Sequence, residues 1–230
     1  MTTVQFCRLT LRTTHVDAAH AFYGALLGPG DREIVPLPAE AAARGAPAHW
    51  LGHLGVDDVE RAAETLHARG GTRLGPTRLT GDGGATAIVR DPGAAVVALT
   101  TRPSDIAHTG VAWHELYTRD LAPAVAAYRE LCEWDFGERV AAESLAAYRE
   151  FAWHAGGPRV GAFADVTRRP EVHSQWLFRF PVASLDDAVR VARDAGAVAL
   201  GPYTVQGGAR VAVCDDPQGA AFALREAAAS

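Results

Sequence analysis

The chain has 230 residues, 48% of them hydrophobic and 21% charged, which suits two domains of average size and excludes a disordered or fibrous protein. A net charge of −5 argues against nucleic acid or an anionic membrane as the main partner, because both select a basic surface. No apolar run approaches the roughly 20 residues that span a bilayer, the N-terminus lacks the regions of a signal peptide, and the widely separated Cys7, Cys132 and Cys214 form neither a disulfide framework nor a zinc cluster. These features give the expectation of a soluble, cytoplasmic protein.

In chain order, residues 4–12 read as a strand and Asp17 to Leu27 as an amphipathic helix, with Ala19, Phe22, Tyr23, Leu26 and Leu27 at helical spacing. Pro38 to Arg44 reads as a short helix. A strand bearing Trp50 leads to a helix from Asp58 to Arg69, stopped by Gly70-Gly71. Strands 85–90 and 94–100 follow, turning at Asp91-Pro92. Thr100 to Asp105 is a polar linker. Beyond it the order recurs: a strand at 111–118, a helix from Pro123 to Cys132, a Trp176 strand, and a helix from Leu185 to Ala195 opened by Ser184 as a capping residue. Strands 210–214 and 220–225, turning at Asp216-Pro217, close the chain.

The recurrence is a tandem duplication. Leu11 through Leu26 aligns with Leu116 through Leu131 at an offset of 105, and Trp50-Leu51 and Leu74-Gly75-Pro76 align with Trp176-Leu177 and Leu200-Gly201-Pro202 at 126. At 125, Asp91-Pro92 aligns with Asp216-Pro217. The larger second offset gives copy two an extra stretch. It contains aromatic runs at 147–153 and 159–163 around Gly156-Gly157, which read as a β-hairpin missing from copy one. The domains are expected at 1–102 and 108–230, the first truncated by one hairpin. Its bared edge calls for cover by the 38–44 helix or by a homodimer partner.

Phe22-Tyr23-Gly24-Ala25-Leu26-Leu27-Gly28, Val56-Asp57-Asp58-Val59, the two Asp-Pro turns, Trp113-His114-Glu115-Leu116 and Pro47 to Gly52 together resemble the tandem-domain, glyoxalase-like branch of the glyoxalase/bleomycin-resistance/dioxygenase, or vicinal oxygen chelate, superfamily. The resemblance covers nearly the whole chain. It implies an α+β fold of paired βαβββ modules whose curved sheets form cups, with a small molecule in the cup and, in many members, a divalent metal. Carried over residue by residue, the metal positions fall on Arg8 and Trp113, Leu51 and Leu177, and Ala98 and Ala223, while the strand 159–163 has no carboxylate. Leu, Ala and Trp offer a hard cation no lone pair, and Arg is a fixed cation. No metal and no other cofactor is therefore predicted at these positions, and a divalent-metal-dependent glyoxalase-like enzyme with non-standard ligands stays open as an alternative. The missing ligands put glyoxalase I and ring-cleaving chemistry in doubt, because both need a Lewis acid.

The remaining histidines build no site by spacing. His49 and His53 lie four apart on a strand, a span of about 13 Å. His114 and Glu115 face opposite sides of theirs, His154 marks a hairpin end, and the cysteines are core hydrophobes. Strand alternation places Trp113, Glu115 and Tyr117 in the cup of copy two with Leu177 and Arg179, joined by Phe151 or Trp153. In copy one it places Arg8, Thr10, Arg12, Leu51 and His53 together. The leading expectation is metal-independent binding of a small aromatic or partly polar organic molecule at Trp113, Tyr117, Leu177 and Arg179, with Arg8 and His53 serving copy one. Glu115 and Arg179 could instead pair with each other across the cup. A second reading is a lyase, isomerase or hydroxylase-type enzyme with Glu115 as the catalytic acid/base and Arg179 holding an oxyanion. A third is a structural role after loss of both sites.

Overall fold

The computed structural model describes residues 3–30, 32–104, 109–141, 147–205 and 207–227; Asp105, at the end of the expected linker, lies outside them. The first copy runs β1 (Phe6–Thr13), α1 (Val16–Leu27), β2 (Glu33–Pro36), α2 (Ala39–Ala43), β3 (His49–Val56), α3 (Val59–Ala68), β4 (Thr72–Arg73), β5 (Arg78–Leu79), β6 (Ala85–Arg90) and β7 (Val96–Thr101). The second runs β8 (Trp113–Thr118), α4 (Leu121–Cys132), β9 (Asp135–Phe136), β10 (Ala147–Ala152), β11 (Gly161–Asp165), β12 (Gln175–Pro181), α5 (Leu185–Asp194), β13 (Val198–Thr204), β14 (Arg210–Asp215) and β15 (Ala221–Glu226).

Each copy forms one mixed sheet. The orders are β2-β1-β3-β7-β6-β4, with β5 also on β6, and β13-β14-β15-β12-β8-β11-β10-β9. The first strand of each module pairs parallel with a later strand of that module, β1 with β2, β3 with β7, β8 with β11 and β12 with β15. The result is the strand–helix–strands unit read from the sequence, repeated four times in an α+β fold. The truncation is finer than a lost hairpin. Residues 33–36, not read as a strand from sequence, form β2 and fill beside β1 the place that β11 fills beside β8. Only the two outer strands, β9 and β10, lack a counterpart among the described residues of copy one. Four residues without alternation, behind a Gly-Pro-Gly run, carry too little pattern to reveal a strand.

Local chemistry sets the helix ends. Asp58 caps α3 by accepting from the Arg61 N–H at 3.0 Å, and Ser184 caps α5 by accepting from the Asp187 N–H at 3.3 Å. In α3, Val59, Ala62, Ala63 and Leu66 form one buried stripe at helical spacing.

Contacts divide the chain into two compact units that draw on both copies. The first comprises Met1–Arg8, Gly52–Thr109 and Trp113–Trp176. Its centre is an aromatic cluster under α4. Trp134 stacks on Phe151 at 4.5 Å and on Tyr128 at 5.5 Å, and Phe163 packs edge-on to Tyr128 at 5.2 Å. The second unit comprises Leu9–Leu51, Gly110–Ala112 and Leu177–Ser230. There Tyr23 packs edge-on against Trp50 at 5.1 Å and Phe222 at 5.5 Å.

Each unit contains the same buried hydrogen-bonded chain. In the first, Trp176 Nε1 donates to the Tyr128 hydroxyl at 3.0 Å, and that hydroxyl donates to Asp91 at 3.0 Å. In the second, Trp50 Nε1 donates to the Tyr23 hydroxyl at 3.0 Å, which donates to Asp216 at 3.1 Å. Tryptophan and tyrosine come from one copy and the carboxylate from the Asp-Pro turn of the other. The sequence displays these residues as repeat markers; their joint role needs the fold.

Candidate functional site

Within the first unit, β8 has two faces. Leu116 is in register with Phe163, which packs on Tyr128 of α4, so His114, Leu116 and Thr118 face that helix and are buried. Trp113, Glu115 and Tyr117 share the opposite face. Register extends it across two more strands: Glu115 stands beside Ala162 and then Glu150, and Tyr117 beside Ala164 and then Tyr148. Two alanines thus separate larger side chains on either side. Strand spacing puts the backbones of Glu115 and Glu150 about 10 Å apart. Glu115 is 6% exposed, while Trp113, Tyr117, Tyr148 and Glu150 are half-buried. Burial raises the pKa of the Tyr148 phenol, and the neighbouring Glu150 charge adds to the effect.

Sequence alternation assigned Trp113, Glu115 and Tyr117 to one face but missed Tyr148, Glu150 and the two alanines. Their strands were legible; their register was not. Phe151 and Trp153, expected as walls beside Glu115, lie on the other face. Phe151 is in register with Gly161, itself in register with His114, and Trp153 packs on His114 at 5.0 Å and Trp134 at 4.9 Å. They belong to the cluster under α4.

His114 stacks on Phe6 at 5.2 Å and shares a hydrogen bond with the Val160 carbonyl through Nδ1 at 3.0 Å. A carbonyl only accepts, so Nδ1 carries the proton. Burial lowers the His114 pKa to about 4, and the ring is a neutral core group. His154 lies just past β10, at the start of the β10–β11 connection, and Cys7, Cys132 and Cys214 are free and buried.

In the same unit, Arg8 Nη2 donates to His53 Nδ1 at 3.1 Å, which places the ring proton of a neutral His53 on Nε2. His53 is in register with Ala98, and Ala98 with Ile88. Asp82 is held below the usual carboxylate range by the Thr80 hydroxyl, then the Gly84 N–H, with a smaller contribution from Arg8. In the second unit, Thr10 is in register with Glu33 and Arg12 with Val35. Leu177 is fully buried on β12, and Arg179, 8% exposed, is in register with Ala223. Neither Glu115 nor Arg179 is unpartnered.

The side chains at the carried-over metal positions do not fit a divalent cation. Leu51, Leu177, Ala98 and Ala223 are buried hydrocarbon, and Arg8 is a cation engaged with His53. Among the described residues no three His, Cys, Asp or Glu side chains cluster as metal ligands would.

No family model matches the chain. It is 28% identical over 244 residues to "Putative glyoxylase CFP32" of Mycobacterium bovis, covering 93% of this chain and 91% of that protein, and the Mycobacterium tuberculosis protein of the same name matches equally. Among solved structures it is similar to the 2,3-dioxygenase LapB from Pseudomonas sp. KL28, with a TM-score of 0.64 and 15% identity over 100% of this chain and 94% of that one. It is also similar to a Mn(II)-bound glyoxalase from Novosphingobium aromaticivorans, with a TM-score of 0.60 and 13% identity over 98% of this chain and 83% of that one. Its fold is that of these dioxygenase and glyoxalase structures, an α+β arrangement with two mixed sheets. No described helix is long and apolar enough to cross a membrane.

Proposed function

We propose that this chain is a vicinal oxygen chelate protein that binds a small aromatic or partly polar organic molecule in its second copy, without a divalent metal. The supporting observation is the side-chain chemistry at the positions where the superfamily places a metal: leucine, alanine, tryptophan and arginine supply no ligand set. The three-stranded face of the first unit supports the choice of ligand. Trp113, Tyr117 and Tyr148 offer aromatic surface, Glu115 and Glu150 offer acceptors, and Ala162 and Ala164 take little room between them. Arg179 and Leu177 of β12, and Arg8 and His53 in copy one, remain part of the proposed binding set on the strength of strand alternation.

Thermal-shift titration of chelator-treated protein with a panel of hydroxylated aromatic acids and aromatic amines tests the reading. At least one class should raise Tm saturably, and Tyr117→Ala should weaken its binding about tenfold. Stoichiometric uptake of Zn²⁺, Ni²⁺ or Fe²⁺ with no organic ligand bound would overturn it. The second reading, Glu115 as an acid/base, is favoured by one observation: Glu115 lies on the face of β8 turned away from α4. Under that reading Glu115→Gln abolishes turnover of a ligand that it still binds.

A further inference from the structure

We propose that a cleft in the first unit, where β6 and β8 end, binds a small molecule bearing an oxyanion: a hydroxy acid or a phosphorylated polyol. The cleft has a volume of about 490 Å³ and includes Arg90, Gly93, Arg119, Asp120, His173 and Ser174 in its lining. That size falls within the range of small-ligand pockets. The site shares no residue with the β8 face discussed above.

Three separate segments bring basic side chains to the cleft: Arg90 from the end of β6, Arg119 from just beyond β8, and His173 from the approach to β12. Arg119 Nη2 donates to the Pro170 carbonyl at 2.9 Å and the Val172 carbonyl at 3.0 Å. These bonds pin the guanidinium to the loop carrying His173 and Ser174, with Nη1 and Nε still available as donors. Arg90 makes no side-chain hydrogen bond or ion pair among the described residues. The Asp91 turn packs so tightly on β8 that a Cβ on Gly93 would lie 2.3 Å from Thr118 Oγ1, which makes a firm wall. A planar, delocalised guanidinium is suited to an oxyanion, and two of them converge here. Asp120 adds an acceptor, so the fitting ligand carries a hydroxyl next to its anionic group.

The duplication supplies an internal control. The second unit retains the turn as Asp216-Pro217, yet its residues equivalent to Arg90, Arg119 and His173 are Asp215, Thr14 and Pro47. The scaffold therefore folds without any of the three basic groups, and their convergence in one unit reflects use of the cleft.

Titration of the ¹⁵N-labelled full chain with glycerol 3-phosphate and with malate, at low salt, tests the proposal. The expected result is saturable shifts at the Gly93, Ala94 and His173 amides. Response to glycerol 3-phosphate alone assigns a phosphate ligand, and response to malate alone a carboxylate. Arg90→Asp, at a position with no side-chain bond to lose, should weaken binding about tenfold or more while leaving shifts elsewhere unchanged. Absence of saturable binding for both probes, or unchanged affinity in Arg90→Asp, would overturn the site. Neither outcome bears on the aromatic ligand of the β8 face, which a separate titration reads.

Discussion

Asp91 is 2% exposed, with one carboxylate oxygen accepting from the Ala95 N–H at 2.9 Å and the other from the Tyr128 hydroxyl at 3.0 Å. Burial outweighs these bonds and raises its pKa from the ordinary 3.8 to about 6. The folded state therefore holds this proton over a pH range in which the unfolded chain has released it. The stabilisation from the protonated group is complete below about 4 and is lost as pH rises through about 6. Urea unfolding of the wild type and of Asp91→Asn, measured from pH 4 to 7, should show the wild type losing stability relative to the variant across that window. A constant difference at every pH would refute the assignment.

At the scale of elements, Gly161 shows how closely β11 is fitted between its neighbours. A Cβ there would lie 2.1 Å from the His114 carbonyl oxygen and 2.4 Å from the Phe151 ring. Neither the backbone nor a ring stacked on Trp134 can yield cheaply, so Gly161→Ala should destabilise the protein by about 3 kcal/mol. Loss of near-ultraviolet circular dichroism from the Phe151–Trp134 stack would mark where the strain goes. Glycine in a strand interior has such a packing meaning, but the sequence alone cannot say which backbone approaches it. The same limit governs what else was legible. Strands β8, β10 and β11 and helices α3, α4 and α5 were readable because alternation, helical spacing and caps are local signals. The pairing of Glu115 with Ala162 and Glu150 was not, because register across a long connection is set by packing. Phe151 was assigned to the wrong face for that reason. The Arg90–Arg119–His173 cleft draws on three segments that no sequence spacing links.

At the scale of the whole chain, the two buried Trp–Tyr–Asp chains tie the copies together reciprocally. Tyr128 of copy two depends on Asp91 of copy one, and Tyr23 of copy one on Asp216 of copy two. We expect domain boundaries at 1–102 and 108–230, but boundaries in sequence need not be boundaries of stability. Cutting there deprives each tyrosine hydroxyl of its acceptor, and each unit's aromatic core loses the elements that the other copy contributes. An unsatisfied buried hydroxyl costs about 1–3 kcal/mol, and the lost apolar burial adds more, against a total stability of about 5–15 kcal/mol for a domain. Residues 1–102 and 108–230 produced separately should therefore each lack cooperative thermal unfolding. Mixed at equal concentration, they should regain a single transition. If 108–230 alone unfolds cooperatively with the Tm of the full chain, the copies are independent folding units and the reciprocal tie contributes nothing. A Tyr128→Phe substitution in the mixture separates the two contributions, because it removes the hydrogen bond to Asp91 and leaves the ring packing. Reassembly that survives this change with a lowered Tm assigns most of the association to apolar burial, and reassembly that fails assigns it to the buried polar chain.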